Sequence, residues 1–168
     1  MARMTTHQNK TTEQAIHIGS SCACFAVRKM TRAVTQLYDH HLSEAGLRIT
    51  QFTLMNAISG FGQVPVYVLA EELVMDRTTL TRNLKPLIKA GLVDSIPDEK
   101  DARVRNLSLT PEGAERLRTA TPHWERAQAE FVEKVGEKSW AEVSQGISLI
   151  DRALSNGPRP SDRLSAAG

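Results

Sequence analysis

Between Leu69 and Gly113 the hydrophobic period changes from helical to alternating and back again, and this limits what the chain can fold into. Leu80, Leu84, Leu87 and Ile88 recur every three or four residues, the spacing of one helix face. A short apolar run, Leu92–Ile96, follows, then the polar turn Pro97-Asp98-Glu99-Lys100-Asp101. Val104, Leu107 and Leu109 mark a second strand. Two strands joined by a charged loop predict a β-hairpin. Thr110 followed by Pro111 then restarts a helix, a capping residue ahead of a first-turn proline.

The elements on either side follow from the same reading. A long helix is expected from about Thr12 to Ser43, with Val27, Met30, Val34, Leu37, Tyr38 and His41 as one stripe and Gly46 as its end. Thr50 is expected to cap a short helix over Gln51–Ser59, with Phe52, Met55 and Ile58 on one face and Gly60 and Gly62 closing it. A third helix covers Val66–Val74 with Leu69, Leu73 and Val74 inward. Asp76 caps a fourth over Arg77–Ala90, and Gly91 takes the left-handed position after it. The helix opened by Thr110 runs to about Val135, kinked by Pro122. A last helix, Glu137 to Ser155, carries Trp140, Val143, Ile147, Ile150 and Leu154 in register.

The fold class is therefore mainly α with a small β-hairpin wing. A winged helix-turn-helix lobe over residues 46–111 lies between N- and C-terminal helices at 12–45 and 112–155. Residues 1–11 and 156–168 are polar or rich in Pro, Ser, Gly and Ala, and are expected to be mobile.

The net charge of +2 on 168 residues decides little, but its distribution does. Arg77–Gly91 holds Arg77, Arg82, Lys85 and Lys89 and no acid, the footprint that a phosphate backbone selects. The same helix offers Thr78, Thr79, Thr81 and Asn83. Arginine can bond guanine edges, asparagine adenine edges, and threonine a phosphate or a thymine methyl. The hairpin brings Lys100 and Arg103 to its tip with Arg105 close by, suited to the negative potential of a narrow minor groove. Asp101 is expected to pair with and aim an arginine such as Arg103.

Other classes find little support. There is no GxSxG, P-loop, dinucleotide fingerprint or HExxH, so neither an enzyme nor a cofactor is expected. His17, Cys22, Cys24, His40 and His41 do not repeat a metal-ligand spacing, and His40-His41 reads as a solvated pair at a helix C-terminus. Two cysteines in one segment cannot staple distant parts of a fold, which argues for a reducing cytoplasm. No stretch approaches the ~20 apolar residues that span a bilayer, and the N-terminus lacks a signal peptide's apolar core.

The run LAEELVMDRTTLTRNLKPLIKAGLVDSIPDEKDARVRNLSLTPEG resembles the core of the MarR family of bacterial regulators. DRTTLTRNLKPL corresponds to the recognition helix, Asp101-Ala102-Arg103 to the wing, and LSLTPEG to the opening of the next helix. The chain departs from the pattern where Val74 replaces a frequent glycine and Val66 a frequent Ser or Thr cap. The resemblance implies an obligate homodimer with interlocked terminal helices, whose recognition helices read a pseudo-palindromic double-stranded operator one turn apart. It also implies a repressor released by a small aromatic or acyl effector, with Phe25, Arg28, Tyr38, Ile49, Phe52 and Met55 as candidate lining. Cys24-Phe25-Ala26-Val27 is similar to the reactive-cysteine segment of the family's organic-hydroperoxide sensors. Tyr38 matches one tuning tyrosine of that branch, while Arg28 and Ile49 replace two others. The alternative expectation is therefore a thiol-based peroxide sensor using Cys24.

Overall fold

The computed structural model describes residues 16–155, 157, 159 and 160. It falls into two units, one ending at Leu37 and the other beginning at Tyr38. In the first, residues 16–21 are helical and α1 (Ala23–Leu42) begins, continuing past the boundary. Phe25, Val27 and Met30 are exposed there. The expected start of the first helix at Thr12 lies outside the described residues, as do residues 1–11 and, of the stretch 156–168, all but 157, 159 and 160, for which mobility is the expectation.

From Tyr38 on, the order is the end of α1, a 3-10 turn (Ser43–Ala45), α2 (Ile49–Phe61), β1 (Gln63–Pro65), α3 (Val66–Glu72), α4 (Arg77–Lys89), β2 (Val93–Pro97), β3 (Arg105–Leu109), α5 (Pro111–Val135) and α6 (Glu137–Leu154). The core is Leu42, Leu47, Phe52, Leu54, Met55, Ile58, Val64, Leu69, Leu80, Leu84, Leu87, Leu92, Val93 and Leu107, closed by Leu117, Ala120 and Ala127 of α5. Phe52 stacks on Trp124, ring centroids 6.1 Å apart, and fastens α2 to α5. Pro122, expected to kink its helix, lies inside an uninterrupted helix, as does Pro86 in α4.

Several boundaries differ from expectation for identifiable reasons. The hairpin is part of a three-stranded antiparallel sheet in the order β1-β3-β2, with Val64 opposite Leu107 and Ser95 opposite Leu107 on the other side. β1 has only three residues, too few to show alternation. Helix α2 starts at Ile49 rather than after Thr50. Its first free amides are taken by Gln51 Oε1, which accepts from Arg48 N (3.0 Å), and by Asp39 Oδ1, which accepts from Ile49 N (2.7 Å). Ile88, expected inward, is 40% exposed. His41, expected to be solvated, places Nε2 2.7 Å from Glu130 Oε2 on α5. Within the tail expected to be mobile, Arg159 donates to Glu72 O (2.6 Å) and pairs with Asp151.

Val74 departs most clearly from the helical pattern. It is 74% exposed, not inward, and it is the non-glycine residue with positive φ, +52°, among the described residues. Met75 N donates to Ala70 O (2.8 Å) and Val74 N to Glu71 O (3.2 Å), the paired bonds of a Schellman closure. The same closure ends α4, where Gly91 N donates to Ile88 O and Leu92 N to Leu87 O, both 3.0 Å, with glycine in the left-handed place. A branched Cβ in that place costs ~1–2 kcal/mol, against the ~0.5–1 kcal/mol by which glycine's extra freedom favours the unfolded chain. Val74→Gly is expected to raise stability by about 0.5–1 kcal/mol, read as a higher urea midpoint at unchanged slope. A lower midpoint would show that Val74's side chain contributes more than its backbone costs.

Candidate nucleic-acid interface

The sequence makes α4 amphipathic, and burial of one side determines what the other presents. Leu80, Leu84 and Leu87 are buried against the lobe. With a helical step of ~100°, Thr78, Arg82, Lys85 and Lys89 fall on the opposite face, and all four are exposed. Asp76 Oδ1 accepts from Thr79 N (2.8 Å) as the N-cap, and hydrogen bonding by Thr79 holds that carboxyl below its ordinary range. The cap fixes where the basic face begins.

The other expected contact residues of α4 sit differently. Thr79 and Asn83 are half-buried at the flank of the leucine face. Thr81 is exposed, but its hydroxyl donates to Arg77 O (2.7 Å). Arg77, first residue of the helix, carries its guanidinium 5.8 Å from the centre of the Tyr67 ring on α3. No spacing pattern points to Tyr67. It meets Arg77 only because α3 and α4 fold back on each other through the Val74 turn.

The wing is organised by Asp98. Its Oδ1 accepts from Lys100 N (2.9 Å) and Asp101 N (3.2 Å), and its Oδ2 from Asn106 Nδ2 (2.8 Å). Asp98 N donates to Val104 O (2.9 Å) and Val104 N to Asp101 O (2.8 Å), closing the loop. Sequence reading placed Asp98 only in a polar turn. The signal available was an Asp beside Pro at a strand end, a residue type that satisfies turn amides.

Asp101 does not aim the Arg103 guanidinium here. Its Oδ1 accepts from the Arg103 backbone amide (3.0 Å), which turns the chain. Arg105 is tied down along the strand rather than offered at the tip. Its Nε donates to Ser95 Oγ (3.2 Å) and its Nη2 to Ser95 O. Lys100 and Arg103 remain as exposed tip cations.

Asn106, then the amides of Lys100 and Asp101, hold the Asp98 carboxyl below the ordinary carboxylate range. A depressed folded-state pKa contributes order that is present above the unfolded value, about 3.9, and lost as pH falls through the folded one. Acidification below pH ~4 is therefore expected to loosen the wing. The Lys100 and Asp101 amide NMR shifts should report this with a midpoint below that of a free aspartate. A midpoint at or above the free value contradicts the Asp98 anchor.

Of the candidate effector residues, Tyr38, Phe52 and Met55 are buried, and Tyr38 bonds through its hydroxyl to Gln128 Oε1 (2.5 Å). Ile49 is half-buried, while Phe25 and Arg28 are exposed. Cys24 is an exposed free thiol, and Cys22 is half-buried.

A helix-turn-helix set between the first and second strands of a three-stranded sheet, with a protruding β2–β3 loop, is a winged helix-turn-helix. The MarR family sequence profile matches residues 45–104. Among solved structures, the Mycobacterium tuberculosis transcriptional regulator MosR, in complex with DNA, is 36% identical. That alignment covers 79% of this chain and 96% of MosR at a TM-score of 0.71. A mutant of Escherichia coli MarR complexed with operator DNA shares the fold at 20% identity, covering 82% of this chain and 98% of that one, with a TM-score of 0.71. SarZ of Staphylococcus aureus, an HTH-type transcriptional regulator, is 31% identical over 90 residues, 54% of this chain and 61% of SarZ. The chain thus spans under two thirds of the length of this curated relative. These relatives are transcriptional regulators, not enzymes. The chain belongs to the MarR family of transcriptional regulators.

Proposed function

We propose that this chain is a homodimeric, sequence-specific reader of double-stranded DNA that acts in the cytoplasm as a repressor. The observation that carries the reading is the outer face of α4, where Arg82, Lys85 and Lys89 are exposed together and no acid interrupts them. Lys100 and Arg103 extend the positive surface onto the wing. MosR, the 36% identical neighbour, was crystallised with DNA, which supports the same partner for this chain. Apolar residues left uncovered on α6 support pairing with a second copy: Ile147 is 44% exposed, Ile150 59% and Leu154 80%.

The test is a salt series. A protein that neutralises phosphates loses affinity linearly in log salt, about 10³- to 10⁵-fold between 50 and 200 mM for 6–10 contacts. A steep slope is expected, together with a dimer by sedimentation at micromolar concentration. Affinity independent of salt, or a monomer on DNA, removes the reading.

Release from DNA by a small aromatic or acyl anion is the finer proposal, with exposed Arg28 as the candidate cation. Phe52 and Met55 belong to the core and serve this proposal least. Exposure of Cys24 favours a second reading, release by an organic hydroperoxide. One release assay separates the two, run with benzoate-type acids and with cumene hydroperoxide on wild type and Cys24→Ser. Peroxide must release wild type and spare the variant if Cys24 senses it.

A further inference from the structure

We infer that Tyr67 is a positioning residue for DNA recognition, holding Arg77 in place through its ring face; this rests on the DNA-reading function proposed above. Arg77 is the first residue of α4, beside the positive end of the helix dipole, where a cation is disfavoured. Among the described residues no carboxylate forms an ion pair with it. The adjacent Asp76 carboxylate is committed to the Thr79 amide. The group that compensates Arg77 is the Tyr67 ring, 5.8 Å from its guanidinium carbon.

The ring does this without hiding either group. Tyr67 is 47% exposed and Arg77 is exposed. A flexible arginine loses rotamer freedom when it binds a phosphate or a base edge, and an aromatic platform restricts that freedom beforehand. The two helices are held in a fixed relation by the Schellman closure at Val74 and by Leu69 and Leu80, both fully buried. The pair is thus part of a stiff helix-turn-helix rather than a chance meeting of two loops. Its place at the entry of α4 assigns Tyr67 to the end of the recognition helix that meets DNA first.

The role belongs to the ring, and the hydroxyl is dispensable to it. The probe is a fluorescein-labelled duplex enriched by the wild-type protein from a random-sequence library, titrated at fixed salt. Tyr67→Leu should weaken binding roughly two- to fivefold, the strength of an exposed cation–π contact. Tyr67→Phe should bind as wild type. In an Arg77→Ala background, Tyr67→Leu should have no further effect, and the melting temperature of Tyr67→Leu should match wild type. Equal losses in both backgrounds would make Tyr67 a merely structural residue and overturn the inference. A loss in Tyr67→Phe matching that in Tyr67→Leu would assign the effect to the hydroxyl and overturn it as well. If the wild-type protein enriches no duplex, the DNA-reading function itself fails, which is a separate result.

Discussion

Gly113→Ala is expected to destabilise the winged lobe by roughly 3–5 kcal/mol, the range of severe steric substitutions. The sign is the informative part. Gly113 lies inside α5, and a helical glycine replaced by alanine ordinarily gains about 1 kcal/mol. Here a Cβ would lie 1.9 Å from Leu92 O and 2.8 Å from Leu92 C. The obstacle is backbone, so no rotamer change relieves it. Nor can Leu92 retreat. Its amide closes α4 on Leu87 O (3.0 Å), its carbonyl accepts from Thr110 N (3.2 Å), and its side chain is buried. The Thr110 hydroxyl donates to Gly91 O (2.6 Å) and accepts from Gly113 N (2.9 Å), so the start of α5 is pinned to the same spot. Relief requires moving α5 or breaking these bonds. Measured against a total stability of ~5–15 kcal/mol, such a loss leaves a substantial unfolded fraction in mild urea. A midpoint equal to or above wild type would mean that α5 has slack that this packing denies it.

The Thr-Pro-Glu-Gly run was legible as a helix start because capping is local chemistry: Thr110 accepts from Gly113 and Pro111 lacks the amide that would go unpaired. The reason for glycine two places on was not legible, since it depends on Leu92, which reaches that spot through the hairpin. The same division runs through the site. Asp76, the leucine face of α4 and the left-handed Gly91 are visible from residue types and spacing within one helix. Asp98 is not, because its partners include Asn106 across the hairpin. Tyr67 is not, because its contact with Arg77 crosses a turn. Val74 misled the reading for a related reason: an apolar residue in helical register reads as buried, while the Schellman closure rotates it outward. The start of α2 differs from the expected Thr50 cap because Asp39, from the end of α1, takes the Ile49 amide and lets the helix begin at Ile49.

Arg103→Ala is expected to weaken binding to an enriched duplex by roughly 1–3 kcal/mol while leaving the melting temperature unchanged. Both parts come from the wing's geometry. Among the described residues, the Arg103 guanidinium takes part in no hydrogen bond or ion pair, so its removal costs the folded chain nothing specific. Its backbone amide is held by Asp101, so the side chain leaves from a fixed point and little ordering remains to be supplied on binding. Arg105→Ala makes the control: that guanidinium spans to Ser95, and its loss should loosen the strand pair before it affects DNA. Asp101→Asn then separates two accounts of the wing aspartate. An amide oxygen can still accept from Arg103 N, so affinity should survive if Asp101 only turns the chain. If Asp101 swings to the Arg103 guanidinium on DNA, removing its charge should cost nearly as much as removing the arginine. Measured together, the three variants distinguish a wing that presents Arg103 by backbone geometry from one that aims it by charge. The hydrogen bonds in this structure favour the first.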